Sequence, residues 1–415
     1  MTNTDLSHLR SIARDFSQTS HEVRNSLIHD IAETLKAHKQ EILSHNQKDL
    51  AKMDSRDPLY DRVALSEKRI DAMAEACEEL IRIEDPLSEK YIQKFQTESS
   101  IHLVSKPVPL WVVACIYEAR PNVTVDLAIL CIKSGNVCVL KGGSQASETN
   151  AYLRDVIQNI FEKHGFSRDC LFGYSENRDD LTHLLTATDS VDVIIPRGGK
   201  SLIDFVRKNS LVPTIETGAG VVHIYVDSDI KQENFEKVRD IIINAKVSRP
   251  SVCNSLDTMI IHKDTPHELV QIIIESLQKE NVEIKMLSKE KEVLNLDAAV
   301  DISEEDFFTE WLSLTCGIKV VSSLEEAICH IEKYSSHHSE CIITDNPDTA
   351  LKFQNQVDSA VVYHNTSTRF SDGGCFGFGA EVGISTQKIH ARGPMWCRAL
   401  TTYKYYVDST YSIRK

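Results

Sequence analysis

The sequence lacks several features that mark whole classes of protein. It has no dense run of lysine and arginine, and its formal net charge is −15 at pH 7. Phosphate backbones attract clustered positive charge, so we expect no nucleic-acid partner. Its longest apolar stretch, residues 108–117, stops at Glu118 and is well short of the roughly twenty residues that span a bilayer. The N-terminus is polar, so we expect neither export nor a membrane location.

The 11 cysteines form no CxxC pairs and have no histidines at metal-ligand spacing. This pattern is poor for a disulfide framework or a structural zinc site, so we expect no metal and a reducing, cytoplasmic environment. The chain also lacks a GxGxxG motif, because residues 218–220 (GAG) continue as Val221, Val222 and His223. The usual dinucleotide fingerprint is therefore absent.

A length of 415 residues with 41% hydrophobic content exceeds what one core usually organises, which predicts two or more domains. Residues 5–85 carry apolar side chains at steps of three and four and are predicted to be helical. From residue 100 onward, short strands alternate with helices, which predicts βαβ units in a parallel, doubly wound α/β sheet. Strands are predicted at 101–104, 111–117, 137–140, 171–172, 191–195 and 221–226, with helices at 125–133, 148–161, 181–185 and 201–206.

A second α/β portion is predicted from residue 227 to about 364, where the chain has left the first sheet. The β-prone stretch 399–407 is typical of a terminal strand that pairs with another subunit.

Cys253 lies in residues 249–254 (RPSVCN), between a predicted helix and a predicted strand. Reactive thiols favour half-exposed, electropositive loops of this kind. Most cysteines, however, are small buried hydrophobes, so the residue pattern leaves catalysis and burial equally open.

Two glycine pairs, Gly142–Gly143 and Gly198–Gly199, follow predicted strands and open toward helices. Such turns allow backbone N–H groups to approach a phosphate, although strand-to-helix turns use glycine without any ligand as well. Residues 199–201 (GKS) resemble the end of a Walker A loop, but the first glycine of that loop would fall at Ile194. An ATPase is therefore the weakest hypothesis.

Two polar residues end predicted strands. Asn122 begins a helix, where its amide would donate to an oxyanion or serve as an N-cap. Glu216 stands beside glycines, where its carboxylate would act as a base or remain a solvated surface group.

Long blocks of the sequence together resemble the γ-glutamyl phosphate reductase family of the aldehyde dehydrogenase superfamily, over nearly the whole chain. The blocks are residues 116–126 (IYEARPNVTVD), 196–200 (PRGGK), 244–246 (NAK), 249–254 (RPSVCN), 367–370 (STRF) and 377–394 (GFGAEVGISTQKIHARGP). The resemblance implies an aldehyde-dehydrogenase-like fold and NADPH-dependent reduction of L-glutamate 5-phosphate to the 5-semialdehyde, the second step of proline biosynthesis. It makes Cys253 the nucleophile that forms a thioester and Asn122 an oxyanion donor, and gives Glu216 a positioning or proton-handling role.

The resemblance also assigns binding residues. Lys141, Gly142, Gly143 and Ser144 would meet the adenosine part of the cofactor, Gly198 and Gly199 its pyrophosphate, and Glu310 the nicotinamide ribose. Ser144 stands where relatives that prefer NAD carry glutamate, which favours NADP(H). Arg120, Arg249 and Arg369 are candidates for the substrate's phosphate and α-carboxylate, because guanidinium binds both in a bidentate manner.

The family fold further implies domain limits and partners. We expect an NADP-binding domain at 1–226 and 365–398 with a hairpin at about 91–105, a catalytic domain at 227–364, and an oligomerisation strand at 399–415. The protein would be a homo-oligomer whose substrate passes from glutamate 5-kinase. A hydrolytic aldehyde dehydrogenase and a catalytically silent binding protein are the rival hypotheses.

Overall fold

The computed structural model describes residues 5–57, 59–96, 101–175, 180–294, 296 and 298–414. The chain forms two compact units. Unit 1 contains Met1–Thr217, Gly377–Gly383 and Ile389–Lys415, and unit 2 contains Gly218–Phe376 and Ile384–Lys388. The expected limits of the first domain, 1–226 and 365–398, therefore differ from the observed ones, because residues 218–226, 365–376 and 384–388 belong to unit 2.

Unit 1 begins with the predicted helices. They are α1 (Leu9–Phe16), α2 (His21–Ala37), α3 (Lys39–Leu50), α4 (Tyr60–Val63) and α5 (Glu67–Arg82). In α2, Leu27, Ile31 and Leu35 are buried at steps of four, so one apolar stripe packs into the core. The Ser20 and Ser66 hydroxyls accept the N-terminal amides of α2 and α5.

The strands and helices that follow alternate as predicted. They are β1 (Gln93–Phe95), β2 (Ile101–Pro109), β3 (Val112–Tyr117), α6 (Pro121–Lys133), β4 (Val137–Lys141), α7 (Ser147–Lys163), β5 (Leu171–Gly173), α8 (Leu181–Leu185), β6 (Val193–Arg197) and α9 (Lys200–Asn209). Four of these strands form a sheet in the order β5-β4-β3-β6, and every pair is parallel.

This strand order places a topological switch point between β3 and β6. The chain builds outward from β3 to β4 and β5 and then returns to β6 on the other side of β3. In open α/β sheets, ligands bind at such a point, beyond the carboxyl ends of the strands. The loops that follow β3 and β6 therefore flank the expected ligand crevice of unit 1.

Unit 2 is a second parallel α/β layer. Its elements are β7 (His223–Val226), α10 (Phe235–Val247), β8 (Thr258–His262), α11 (His267–Lys279), β9 (Glu283–Met286), α12 (Ser288–Leu294), β10 (Val300–Asp301), β11 (Thr315–Val321), α13 (Leu324–Tyr334), β12 (Ser339–Ile343), α14 (Pro347–Gln356) and β13 (Val361–His364). The strand order is β10-β9-β11-β8-β7-β12-β13, and all pairs are parallel.

The placement of β7 corrects the sequence-based prediction, which made residues 221–226 the last strand of the first sheet. The strand exists, but it pairs with β8 and β12 of unit 2. An apolar run predicts a strand, whereas its partners depend on segments far away in the sequence.

The chain ends with three strands, β14 (Ile384–Ser385), β15 (Gly393–Pro394) and β16 (Thr401–Ser409). In unit 1, β16 pairs antiparallel with β2, and β2 pairs antiparallel with β1, in the order β1-β2-β16. The predicted hairpin and terminal strand are thus one small sheet. None of the described helices combines the length and the apolar character needed to cross a bilayer.

Candidate active site

Cys253 differs from the other cysteines in its surroundings. It is half-buried in the loop between α10 and β8, whereas eight cysteines are buried and Cys329 and Cys375 are exposed. Burial raises the pKa of seven buried thiols, which keeps them protonated at neutral pH. The seven are Cys77, Cys115, Cys138, Cys170, Cys316, Cys341 and Cys397, in which desolvation or contact with a neighbouring thiol is the main cause.

The loop that carries Cys253 is fixed at both sides of the cysteine. The Ser255 amide donates to the Val252 carbonyl at 3.0 Å, which closes a turn around residue 253. After the turn, the Leu256 carbonyl accepts the buried Lys246 ammonium at 2.8 Å, and burial lowers the pKa of that lysine. The loop is therefore anchored to the last turn of α10, and the thiol has a defined backbone.

Gly220 and Glu310 lie against this loop. A β-carbon on Gly220 would stand 1.6 Å from the Cys253 carbonyl oxygen, so the two backbones are in close contact. The Gly220 amide donates to the Glu310 carboxylate at 2.9 Å. Glu310, proposed from the resemblance as a cofactor residue, is thus placed beside the cysteine loop within unit 2.

Arg249 and Arg369 supply positive charge near the thiol. The pKa of Arg369 is lowered by burial and by Arg249, while Asp372, Cys253 and Cys375 raise it. Arg369 therefore interacts electrostatically with the Cys253 sulfur, and a guanidinium at this place favours the thiolate. Its Nε donates to the Ser248 hydroxyl at 3.1 Å.

In unit 1, the two glycines after β6 meet Glu118, which follows β3. The Gly199 amide donates to the Glu118 carboxylate at 2.9 Å, across the switch point. A β-carbon on Gly199 would meet only that carboxylate, at 3.8 Å, so protein packing does not require glycine there. The Glu118 carboxylate thus accepts from the N-terminus of α9, the kind of position at which helices commonly bind a phosphate.

The glycines after β4 have a different environment. A β-carbon on Gly142 would stand 2.6 Å from the Asn150 amide nitrogen, so a larger residue at this position would require the Asn150 side chain to move. Gly143 faces the flexible Gln145 side chain at the same distance. Lys141 is the buried last residue of β4, and Ser144 is exposed at the start of a short 3₁₀ turn.

Asn122 lies in the first turn of α6, and its amide donates to the Asp126 carboxylate at 2.9 Å. Desolvation raises the pKa of Asp126 to about 6, although the bond from Asn122 acts in the opposite direction. Arg120 directly precedes α6. Both residues stand at the carboxyl end of β3, where unit 1 is expected to bind its ligand.

Glu216 lies in the segment after α9 and forms a 3.9 Å ion pair with Arg207. Burial raises the pKa of Glu216, Asp204 raises it further, and Arg207 lowers it. A raised carboxyl pKa suits proton transfer near neutral pH, and the same environment equally suits a structural ion pair.

The structure thus groups the predicted residues within each unit. Unit 2 brings together Cys253, Glu310, Arg249 and Arg369, and unit 1 holds the remaining candidates. Sequence reasoning did not single out Glu118, Gly220 or Asn254, although Glu118 and Asn254 stand inside the quoted blocks and Gly220 ends the GAG stretch at 218–220. Among the residues that the structure describes, no group of three or more His, Cys, Asp or Glu side chains is arranged to hold a metal ion.

Comparison with known proteins decides the family. The aldehyde dehydrogenase family model matches residues 6–313. The chain is 43% identical over 404 residues to the γ-glutamyl phosphate reductase of Pelodictyon phaeoclathratiforme, covering 96% of both proteins. This chain belongs to the aldehyde dehydrogenase family, among the γ-glutamyl phosphate reductases.

Two further relatives agree with this family assignment. The γ-glutamyl phosphate reductase of Legionella pneumophila strain Paris is 42% identical, covering 99% of this chain and all of that one. The crystal structure of the Thermotoga maritima enzyme is 40% identical and superposes with a TM-score of 0.93 over 99% of each chain. The resemblance and the α/β fold predicted from the sequence are therefore confirmed. The chain is an oxidoreductase of a family that uses a nicotinamide cofactor.

Proposed function

We propose that the protein reduces L-glutamate 5-phosphate to L-glutamate 5-semialdehyde with release of phosphate, using NADPH, as the second step of proline biosynthesis. The observation that carries the proposal is the half-buried Cys253 thiol in a loop to which the Arg369 guanidinium donates hydrogen bonds, at Ser248 and Asn254. An acyl phosphate is an anionic electrophile. An enzyme that reduces it through a thioester therefore needs a thiolate to attack it and neighbouring cations to bind its phosphate. The names of the relatives agree with this substrate.

In the proposed mechanism, the Cys253 thiolate attacks the acyl carbon. The carbon–sulfur bond forms, the bond to the phosphate oxygen breaks, and inorganic phosphate leaves. When bound, the cofactor supplies a hydride that reduces the resulting thioester. The tetrahedral adduct on Cys253 then collapses to the aldehyde and returns the thiolate. A thioester accepts hydride more readily than a carboxylate, so one difficult reduction becomes two easier steps.

Oxyanion stabilisation is proposed for Asn122, the role that the family resemblance implies. The amide of Asn122 has a fixed orientation because it donates to Asp126. An ordered amide lowers the reorganisation that the transition state requires. Replacing Asn122 with alanine is expected to reduce turnover roughly a hundredfold or more.

Cofactor binding is assigned to Lys141, the two glycine pairs, Ser144 and Glu310. In this assignment Lys141 reaches the adenosine ribose, and the exposed Ser144 leaves room for a 2′-phosphate that a glutamate would repel. Gly198 and Gly199 would hold the pyrophosphate, which is supported by the open space at Gly199. Glu310 would bind the nicotinamide ribose, which requires its carboxylate to share or leave the Gly220 amide.

Arg120, Arg249 and Arg369 are the proposed partners of the substrate's phosphate and α-carboxylate. The exposed Arg249 is close enough to the half-buried Arg369 to lower the pKa of Arg369, and such paired cations favour a multiply charged anion. Glu216 is proposed to position substrate or to transfer a proton, in line with its raised pKa. Supply of the unstable acyl phosphate by glutamate 5-kinase would complete the sequence of reactions.

We also propose that β16 joins two copies of the chain. It is an edge strand of its sheet, and Tyr403, Tyr405 and Val407 are exposed on it. An exposed edge with large apolar side chains is a ready template for pairing. Replacing Tyr405 with lysine is expected to lower the mass measured by light scattering. An unchanged mass would contradict a β16 interface.

The enzymatic proposal is tested by following NADPH absorbance with enzymatically generated glutamyl phosphate, and NADP reduction with semialdehyde plus phosphate. Cys253→Ala should lower turnover roughly a thousandfold or more. Cys329→Ala, which removes an exposed thiol on α13, should leave turnover unchanged. Equal activity of Cys253→Ala and wild type would overturn the mechanism.

The same assay separates the rival functions. Semialdehyde oxidation that needs no phosphate would indicate a hydrolytic aldehyde dehydrogenase. Binding of NADPH without turnover in either direction would indicate a silent binding protein. Tighter binding of ATP than of NADPH would favour a nucleotidase built on residues 199–201.

A further inference from the structure

Asn254, the residue after Cys253, uses its side-chain amide and its backbone carbonyl on one segment of unit 2. It is 5% exposed. Its side-chain nitrogen donates to the carbonyls of Arg369 at 3.3 Å and Ser371 at 3.0 Å. Its side-chain oxygen accepts a hydrogen bond from the Arg369 guanidinium, and its backbone carbonyl accepts the Thr368 hydroxyl at 2.8 Å. One residue therefore joins the loop that carries the proposed nucleophile (residues 248–257, the nucleophile loop) to the turn at residues 367–371.

That turn is itself attached to the sheet. Thr368 and Ser371 are almost fully buried. The Ser371 hydroxyl contacts the Ser339 hydroxyl of β12 at 2.5 Å and the Tyr363 hydroxyl of β13 at 2.9 Å. A buried, satisfied network of this kind has few alternative arrangements. The 367–371 turn, to which Asn254 is hydrogen-bonded, is consequently held rigidly against the sheet.

Arg369 connects the same turn to the other end of the nucleophile loop. Its Nε donates to the Ser248 hydroxyl at 3.1 Å, while its Nη1 donates to Asn254. The guanidinium thus spans residues 248–254 and lies where its charge interacts with the Cys253 sulfur. Rotation of this side chain would break both hydrogen bonds.

We propose that Asn254 is a positioning residue, which fixes the Cys253 loop and the Arg369 guanidinium relative to each other so that the cation stabilises the thiolate. The inference rests on the proposed role of Cys253 as nucleophile. Asn254 acts through Arg369 and the loop, since its side-chain amide and its backbone carbonyl are bonded to the 367–371 turn.

The test measures the rate of Cys253 alkylation by iodoacetamide as a function of pH, in a full-length background with Cys329→Ser and Cys375→Ser. Alkylation follows the thiolate fraction, so it reports this positioning without cofactor or substrate. Asn254→Ala should move the pH midpoint up by about one pH unit, which slows alkylation at pH 7 roughly tenfold. Asn244→Ala, at an exposed position on α10, is the matched control and should leave the profile unchanged.

A double-mutant cycle with Arg369→Gln completes the test. If Asn254→Ala fails to fold, the Arg369→Gln arm alone still tests whether the guanidinium lowers the alkylation midpoint of Cys253. Glutamine removes the charge but keeps a donor, so Arg369→Gln alone should raise the midpoint. If Asn254 acts through Arg369, the double variant should match Arg369→Gln instead of adding the two shifts.

An unchanged midpoint in a folded Asn254→Ala variant, or in Arg369→Gln, would overturn the inference, as would strict additivity. Failure of the proposed function would look different. It would appear as full turnover in Cys253→Ala, whatever the alkylation profile.

Discussion

The backbone carbonyl of Cys253 faces Gly220 so closely that a β-carbon at residue 220 would stand 1.6 Å from its oxygen. The Gly220 amide is held at the same time by the Glu310 carboxylate, at 2.9 Å. The glycine is therefore held between the loop that carries Cys253 and Glu310. Any side chain at this position must displace one of them, which links residue 220 to the geometry of the thiol.

Gly220→Ala is accordingly expected to shift the Cys253 loop. The substitution should slow alkylation of Cys253 about tenfold and reduce the free energy of unfolding by about 1–3 kcal/mol, the range for overpacked sites. Thiol kinetics and thermal unfolding provide the two measurements. Gly374→Ala is the control, because its β-carbon would approach only the exposed Asp372 carboxylate, at 3.1 Å. Wild-type alkylation by Gly220→Ala would show that the two backbones are not in contact.

Gly199→Ala should separate ligand binding from folding. Residue 199 has φ −69° and ψ 165°, which alanine adopts without strain, and its β-carbon would enter open space. We expect an unchanged melting temperature and a Kd for NADPH raised about tenfold, which corresponds to about 1.4 kcal/mol. Fluorescence titration measures the affinity. Gly142→Ala is the contrasting variant, since the clash with Asn150 should lower stability. If Gly199→Ala binds NADPH as well as wild type, the pyrophosphate lies elsewhere.

Glu118→Gln should tighten cofactor binding. The carboxylate of Glu118 accepts the Gly199 amide at the N-terminus of α9, so it competes with a phosphate for the same donor and the same positive end of the helix dipole. Removing the charge is expected to lower the Kd for NADPH about two- to fivefold, equivalent to about 0.3–1 kcal/mol. Glu148→Gln, in the first turn of α7, is the control. Weaker binding by Glu118→Gln would mean that the carboxylate supports the cofactor.

Asp126→Asn should change how stability depends on pH. Burial raises the folded-state pKa of Asp126 from 3.8 to about 6, so the folded protein holds this proton more tightly than the unfolded chain. The stability from this proton is fully present below about pH 4 and is lost as pH rises through 6. The free energy of unfolding of Asp126→Asn, minus that of wild type, should therefore increase by about 1–3 kcal/mol between pH 5 and pH 8. Thermal unfolding of both proteins checks this expectation, and a pH-independent difference would exclude the raised pKa.

Much of the fold was predictable because its signals are local. The apolar periodicity of α2, the alternation of strands and helices from β3 to α9, and the terminal strand β16 all follow from sequence patterns. The allocation of β7 was wrong, since its hydrogen-bonding partners β8 and β12 lie elsewhere in the chain. Strand existence is a property of a segment, whereas strand pairing is a property of the assembled sheet.

The candidate site shows the same division. Motif identity pointed to Cys253, and the half-buried loop is consistent with that role, but spacing gave no reason to link Asn254 with residues 367–371. More than one hundred positions separate those partners, and their hydrogen bonds exist only after the sheet brings β12 and β13 beside the loop. The hydrogen bond from the Gly199 amide to the Glu118 carboxylate likewise depends on the switch point, which places the ends of β3 and β6 side by side.

By itself, the sequence determined the α/β class, the family and the residues that carry the proposed chemistry, because side-chain types, periodicity and motif order are all written along one chain. Only the tertiary structure decided which polar atoms meet. It places Gly220 against the Cys253 carbonyl and the Glu118 carboxylate at the N-terminus of α9. It also brings the Arg369 guanidinium to Ser248 and Asn254, on either side of Cys253. Hydrogen bonds and close contacts act over a few ångströms in space, and separation along the chain does not specify that distance.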